Sequence, residues 1–168
     1  MRSDRLILWV DSSALIKWFV PEVGSEIVSR LLETTPEYLL KGSTLVQYAE
    51  TYAVLLRRRN AGDIDARYFD DAVLALESRV LSDESFLLLS VDDTCYLEGL
   101  SLVRKHNLNC VDAACLFCVM RFMHEYSVRG VFVASDRRLL RAASEEGLSP
   151  LDPQLASMAD VDALLTPR

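Results

Sequence analysis

Leu6-Ile-Leu-Trp-Val10 is an unbroken apolar run, and Asp11-Ser-Ser13 follows it directly. So short a run is no signal-peptide core and no membrane span. It suits a buried strand, and the lack of polar alternation suits one covered on both faces. Phe86–Val91 and Val131–Ala134 are runs of the same kind, with Tyr38–Leu40 and Leu148–Leu151 as weaker candidates. Helical patterns fill the intervals. Strands alternating with helices predict an α/β domain with a parallel sheet.

The helices have readable ends. Ser12 or Ser13 can cap a helix running towards Val20, which Pro21 stops. A second is expected over about Val23–Leu32. Ser43 and Thr44 can cap a third that reaches Arg57-Arg-Arg59, where cations suit a helix C-terminus, before Asn60-Ala-Gly62 breaks it. Asp63 can open the next, up to about Leu81. Thr94–His106, Asp112–Glu125, Arg137–Glu146 and Leu155–Leu165 complete the set.

At 168 residues and 51% hydrophobic, the chain reads as a single domain over 1–168, with a core at about 6–151 and a tail at 152–168. The absence of a leader or span predicts a cytoplasmic protein without membrane contact. Cys115-Leu-Phe-Cys118 lacks the second pair that a zinc site needs, so these cysteines are expected in the core. The net charge of −7 works against nonspecific nucleic-acid binding. A site that gathers carboxylates around a cation contributes to that charge itself, and Arg57–Arg59 and Arg137-Arg138 with Arg141 are local basic clusters.

Four acids stand in contexts that predict burial. Asp11 ends the first strand and opens a helix, where open α/β sheets bind their ligands. Asp136 repeats that context after Val131-Phe-Val-Ala-Ser135, and the two could meet if their strands are neighbours. Glu50 lies on or beside a stripe of Leu45, Val46, Ala49, Ala53 and Leu56, while Asp112 opens a helix rich in apolar neighbours. Converging carboxylates repel, and a divalent cation relieves that repulsion. Oxygen donors alone favour Mg²⁺ or Mn²⁺, which suits phosphodiester hydrolysis. Each acid also has a plainer reading: the three aspartates as helix caps or first-turn residues, and Glu50 as a side chain reaching solvent from the edge of its face.

Val10-Asp-Ser-Ser-Ala-Leu-Ile-Lys-Trp-Phe-Val-Pro-Glu22 is similar to the opening motif of PIN domains, especially of VapC-like toxins. Ser43-Thr-Leu-Val-Gln-Tyr-Ala-Glu50, Asn109-Cys-Val-Asp-Ala-Ala-Cys-Leu116 and Val133-Ala-Ser-Asp-Arg-Arg-Leu-Leu140 resemble the second, third and fourth motifs, in the family's order. Ser135 stands where a threonine is common. The resemblance implies a three-layer α/β/α sandwich around a mainly parallel sheet of roughly five strands. It implies that Asp11, Glu50, Asp112 and Asp136 hold Mg²⁺ or Mn²⁺ and cut RNA, with Ser13 and Ser135 in support. Such proteins often form homodimers, and a small cognate antitoxin often occludes their active site. Lys17, Arg137 and Arg138 are candidate RNA contacts, although a solvated Lys17 is the simpler expectation.

Other enzyme classes fit less well. Ser13 stands where a dehalogenase-type phosphatase needs a second aspartate, and no nucleotide-binding glycine loop is present. His106 and His124 fall at helix ends and are expected at the surface. A PIN-fold binding or scaffold subunit in an RNA-associated complex, without catalysis, is the alternative to a nuclease.

Overall fold

The computed structural model describes residues 6–34, 36 and 39–166. Along the chain run β1 (Leu6–Val10), α1 (Ser12–Leu15), α2 (Ser25–Glu33), β2 (Leu39–Thr44), α3 (Leu45–Ala61) and α4 (Ala66–Leu76). Then come β3 (Phe86–Leu89), α5 (Asp93–His106), α6 (Cys110–Tyr126), β4 (Arg129–Val133), α7 (Arg137–Glu145), β5 (Ser149–Leu151) and α8 (Met158–Leu165). A 3₁₀ turn, Ile16–Trp18, extends α1, and a π-helical turn, Glu77–Leu81, extends α4. Tyr38, in one of the weaker expected strands, lies outside the described residues.

The strands form one sheet in the order β3-β2-β1-β4-β5, and every pairing is parallel. The central strand, β1, is buried on both faces, as its apolar run requires. Leu8 and Val10 pack with Leu15, Leu31, Leu55 and Leu76, beneath α1 to α4. Ile7 and Trp9 pack with Leu116, Val119, Phe132 and Leu139, beneath α5 to α7. The fold is therefore a three-layer α/β/α sandwich. Val161 and Leu165 of α8, within the expected tail, join the first of these cores.

Strand order reverses at β1, since the chain moves to β2 and β3 on one side and returns to β4 and β5 on the other. The carboxyl ends of β1 and β4 are thus neighbours, and Asp11 N–H donates to the Val133 carbonyl at 2.9 Å. A crevice forms at such a switch point.

Several expectations are corrected here. Asp11, rather than Ser12 or Ser13, caps α1, because its carboxylate accepts the Ser13 N–H. Asp65 rather than Asp63 caps α4, and Asn109 caps α6, which puts Asp112 in the first turn. Gly62 ends α3 at φ +81°, a conformation that glycine adopts without strain. The stripe expected to bury α3 does not: Leu45 and Leu56 are 41% and 37% exposed, while Gln47, Thr51 and Leu55 face inwards. His106 is also buried, with Nε2 2.6 Å from Glu146 Oε1 and Nδ1 3.3 Å from Glu145 Oε2, so it ties the end of α5 to the end of α7. Cys95, Cys115 and Cys118 are buried free thiols, in line with core packing. Among the described residues no helix is long and apolar enough to cross a membrane.

Gly42 in β2 lets the Trp9 ring lie against the sheet, since a Cβ there would stand 2.7 Å from Trp9 Cζ3 and 3.1 Å from the Leu87 carbonyl oxygen. Gly42→Ala is expected to lower stability by about 1–3 kcal/mol through overpacking. Urea unfolding followed by Trp fluorescence checks this, and an unchanged midpoint would contradict the packing described.

Candidate active site

Asp11 is 4% exposed, and a carboxylate at that depth requires donors. It has three. Ser13 gives its backbone N–H at 2.9 Å and its hydroxyl at 2.5 Å to Oδ2, while Gln47 Nε2 donates to Oδ1 at 2.9 Å. Ser13 Oγ also accepts the Ser135 N–H at 2.9 Å, which couples the β1 turn to the β4 turn.

Gln47 is oriented by the start of α3. Thr44 caps that helix, and its backbone N–H and hydroxyl donate to Gln47 Oε1 at 3.2 and 3.1 Å. This capping box leaves the amide of Gln47 pointing at Asp11. It also sets the rotation of α3, so that Glu50, almost one turn on, comes over the end of β1. There Glu50 Oε2 accepts the Ser12 hydroxyl at 3.0 Å.

Asp136 caps α7, taking the N–H groups of Arg138 and Leu139 on Oδ1 at 2.8 and 2.9 Å. Asp112 pairs reciprocally with Asn109: its N–H donates to Asn109 Oδ1 at 2.8 Å, and Asn109 Nδ2 donates to Asp112 Oδ2 at 2.7 Å. All four acids, with Ser12, Ser13 and Arg57, line one cavity of about 260 Å³. A second cavity, about 430 Å³, shares Asp112 and Asp136 with the first and adds Asn109, Arg137 and Arg138.

The acids feel one another. Burial, then the charges of Asp11, Glu50 and Asp136, push the Asp112 carboxyl up to about 6, against the hydrogen bond from Asn109. Their burial is uneven, contrary to expectation: Asp11 is buried, Glu50 and Asp112 are half-buried, and Asp136 is exposed. As they stand among the described residues, no three acidic, histidine or cysteine side chains close into a metal-holding group.

The PIN domain family model matches residues 8–145. The chain belongs to the PIN-domain family. Solved structures of similar fold include VapC20 of Mycobacterium tuberculosis, described as a sarcin-ricin loop cleaving toxin. It is 18% identical, with 84% of this chain and 95% of that one covered and a TM-score of 0.60. VapBC2 of Rickettsia felis, bound to a DNA fragment from its promoter, is 9% identical over 87% of this chain and 98% of that one, at a TM-score of 0.54. A toxin–antitoxin complex from Klebsiella pneumoniae is 13% identical over 87% and 97%, at 0.53. At these identities the likeness is one of fold. No curated protein matches the sequence.

Within this PIN domain the remaining expected residues divide. Ser13 is built into the site, and Ser135 lies beside it with its hydroxyl buried and, among the described residues, without a hydrogen-bond partner. Arg137 and Arg138 line the second cavity. Lys17 does neither. It is 3% exposed, and its Nζ lies 2.5 Å from Glu22 Oε1, so it is neither solvated nor open to RNA. Arg58 reaches the other oxygen of Glu22. Gln47, Ser12 and Asn109 were not among the expected site residues, although Thr44-Leu-Val-Gln47 carries the capping-box spacing that locates Gln47.

Two outcomes follow for Asp112 in the protein without added metal. Asp136→Asn should lower its pKa from about 6, read by ¹³C NMR titration of the side chain. The folded pKa lies above the unfolded one, so between them the folded state binds more protons, and stability rises as pH falls through about 6. Asp112→Asn should lose that rise in urea midpoints measured from pH 7 to pH 5. An unchanged pH response would show that neither burial nor the neighbouring charges raise the Asp112 pKa in the folded protein.

Proposed function

We propose that this PIN domain is an endoribonuclease that hydrolyses RNA phosphodiester bonds with Mg²⁺ or Mn²⁺ held by Asp11, Glu50, Asp112 and Asp136. The observation that carries the reading is the shared cavity: four carboxylates from the ends of β1 and β4 and from α3 and α6 line it, and among the described residues Arg57 is the one cation in that lining. Oxygen-only donors of this kind suit a hard divalent ion, and the Asp112 carboxyl, raised by burial and then by the charges of Asp11, Glu50 and Asp136, is one that such an ion would favour in its charged form.

When bound, the ion supplies a polarised water and stabilises charge on the phosphoryl oxygens. The chain supplies the rest. Ser13 and Gln47 hold Asp11 in one rotamer, so its remaining lone pairs face the cavity in a fixed direction. Ser12 does the same for Glu50, and Asn109 for Asp112. Asp136 commits Oδ1 to the cap and keeps Oδ2 for the cavity. Arg137 and Arg138 offer guanidinium groups to the RNA backbone in the second cavity.

The same reading makes the protein the toxin of a toxin–antitoxin pair in the cytoplasm, forming homodimers and held by a small antitoxin. The toxins and toxin–antitoxin complexes of like fold support it. It takes residues 1–168 as one domain.

Incubation with a labelled tRNA pool and total RNA, in Mg²⁺, Mn²⁺ or EDTA, tests the activity. Cleavage should need the metal. Asp11→Asn and Asp112→Asn should each lower it by more than the roughly 10- to 100-fold typical of outer-shell partners. Mn²⁺ should also raise the melting temperature of the wild type and leave that of Asp112→Asn where it was. Stabilisation by Mn²⁺ without RNA cleavage would favour the non-catalytic binding subunit. No response to metal in either assay would end the nuclease reading.

A further inference from the structure

The three arginines that end α3 have different surroundings. Arg58 is paired with Glu22 across the domain. Arg59 stacks over the Phe69 ring, 5.2 Å from its centroid. Arg57 is exposed, makes no hydrogen bond or ion pair among the described residues, and lines the carboxylate cavity. It follows Glu50 by seven residues, about 10 Å along the helix, with Ala53 and Val54 forming the wall between them.

The two cavities share Asp112 and Asp136, with Arg57 in one and Arg137 and Arg138 in the other. Asp112 and Asp136 therefore sit between arginines. A protein of net charge −7 repels RNA at long range, so capture depends on cations at the site itself. A phosphate over the acids meets that repulsion most strongly. Its neighbours in the strand are where arginines do most good.

We propose that Arg57 binds the RNA phosphate adjacent to the scissile one, on the side opposite Arg137, so that a single strand crosses the acids held by guanidinium groups at both ends. The inference rests on the nuclease reading and adds a binding residue and a strand path to it. Cavities of about 260 and 430 Å³ joined at two carboxylates suit a single strand, whose backbone can bend through them and whose bases can splay, in preference to a stiff, wide duplex.

The test uses a short random-sequence single-stranded RNA. Binding is measured over a series of KCl concentrations in Mg²⁺, in an Asp112→Asn background that leaves the RNA uncut. Adding Arg57→Ala should weaken binding about tenfold and make the log–log salt slope about 0.7 shallower, the value of one released phosphate contact on a single strand. Arg57→Lys should restore the slope, and Arg59→Ala should leave it unchanged. In the otherwise wild-type enzyme, Arg57→Ala should raise KM while kcat stays within about twofold. A slope and KM unaltered by Arg57→Ala, in a protein that does bind and cut RNA, would overturn the inference and spare the nuclease reading. If the unsubstituted protein neither binds nor cuts RNA, both fall. A duplex of the same sequence bound as tightly as the single strand would contradict the strand path.

Discussion

Asp11 is a carboxylate inside the protein at the one point where the sheet changes direction, and burying it is costly unless its oxygens are met. The partners that meet them come from both flanks. Ser13 belongs to the turn after β1 and accepts in its turn the N–H of Ser135 after β4. Gln47 belongs to α3 and is itself held by the end of β2, where Ser43 Oγ also donates to the Val10 carbonyl at 2.6 Å. One buried charge thus ties the ends of three adjacent strands. Remove it and Ser13, Gln47 and Ser135 all lose the group they are arranged around.

That arrangement explains why the other acids are where they are. Gln47 must face inwards, which brings Glu50 to the crevice and turns Leu45, Ala49 and Leu56 outwards. Asp136 and Asp112 sit at the starts of α7 and α6, where N–H groups of the first turn favour a carboxylate. Asp136 caps α7 through Oδ1 alone, and Asp112 takes the Asn109 amide on Oδ2 alone, so each has an oxygen free of these bonds. The remaining cost is burial together with mutual repulsion, and both raise the pKa of Asp112.

Much of this was legible in the sequence. The apolar run at Leu6–Val10 declared a strand buried on both faces, and the shared strand-end context of Asp11 and Asp136 left their meeting conditional on neighbouring strands, which β1 and β4 are. Glu50 and Asp112 were singled out by their apolar helical context, and the resemblance of four motifs joined them to Asp11 and Asp136 as one quartet. The failures have a common physical cause. The α3 stripe was read from hydrophobicity, whereas the rotation of that helix is set by a polar contact from Gln47 to a residue 36 positions away. Lys17 and His106 were placed in solvent by residue type, yet each meets carboxylates: Lys17 meets Glu22, and His106 meets Glu145 and Glu146. Long-range pairing of buried polar groups has no periodicity, so no local pattern announces it.

The central claim is that these four carboxylates form one site for a divalent ion. Backbone amide NMR spectra recorded against rising Mn²⁺ test it most directly, because the paramagnetic ion broadens nearby signals without requiring an RNA substrate. The account predicts that broadening begins together at residues around Asp11, Glu50, Asp112 and Asp136, and that Asp112→Asn shifts its onset to higher Mn²⁺. Broadening that starts instead at surface acids far from the crevice, such as Asp160 and Asp162, or that ignores the substitution, would contradict it.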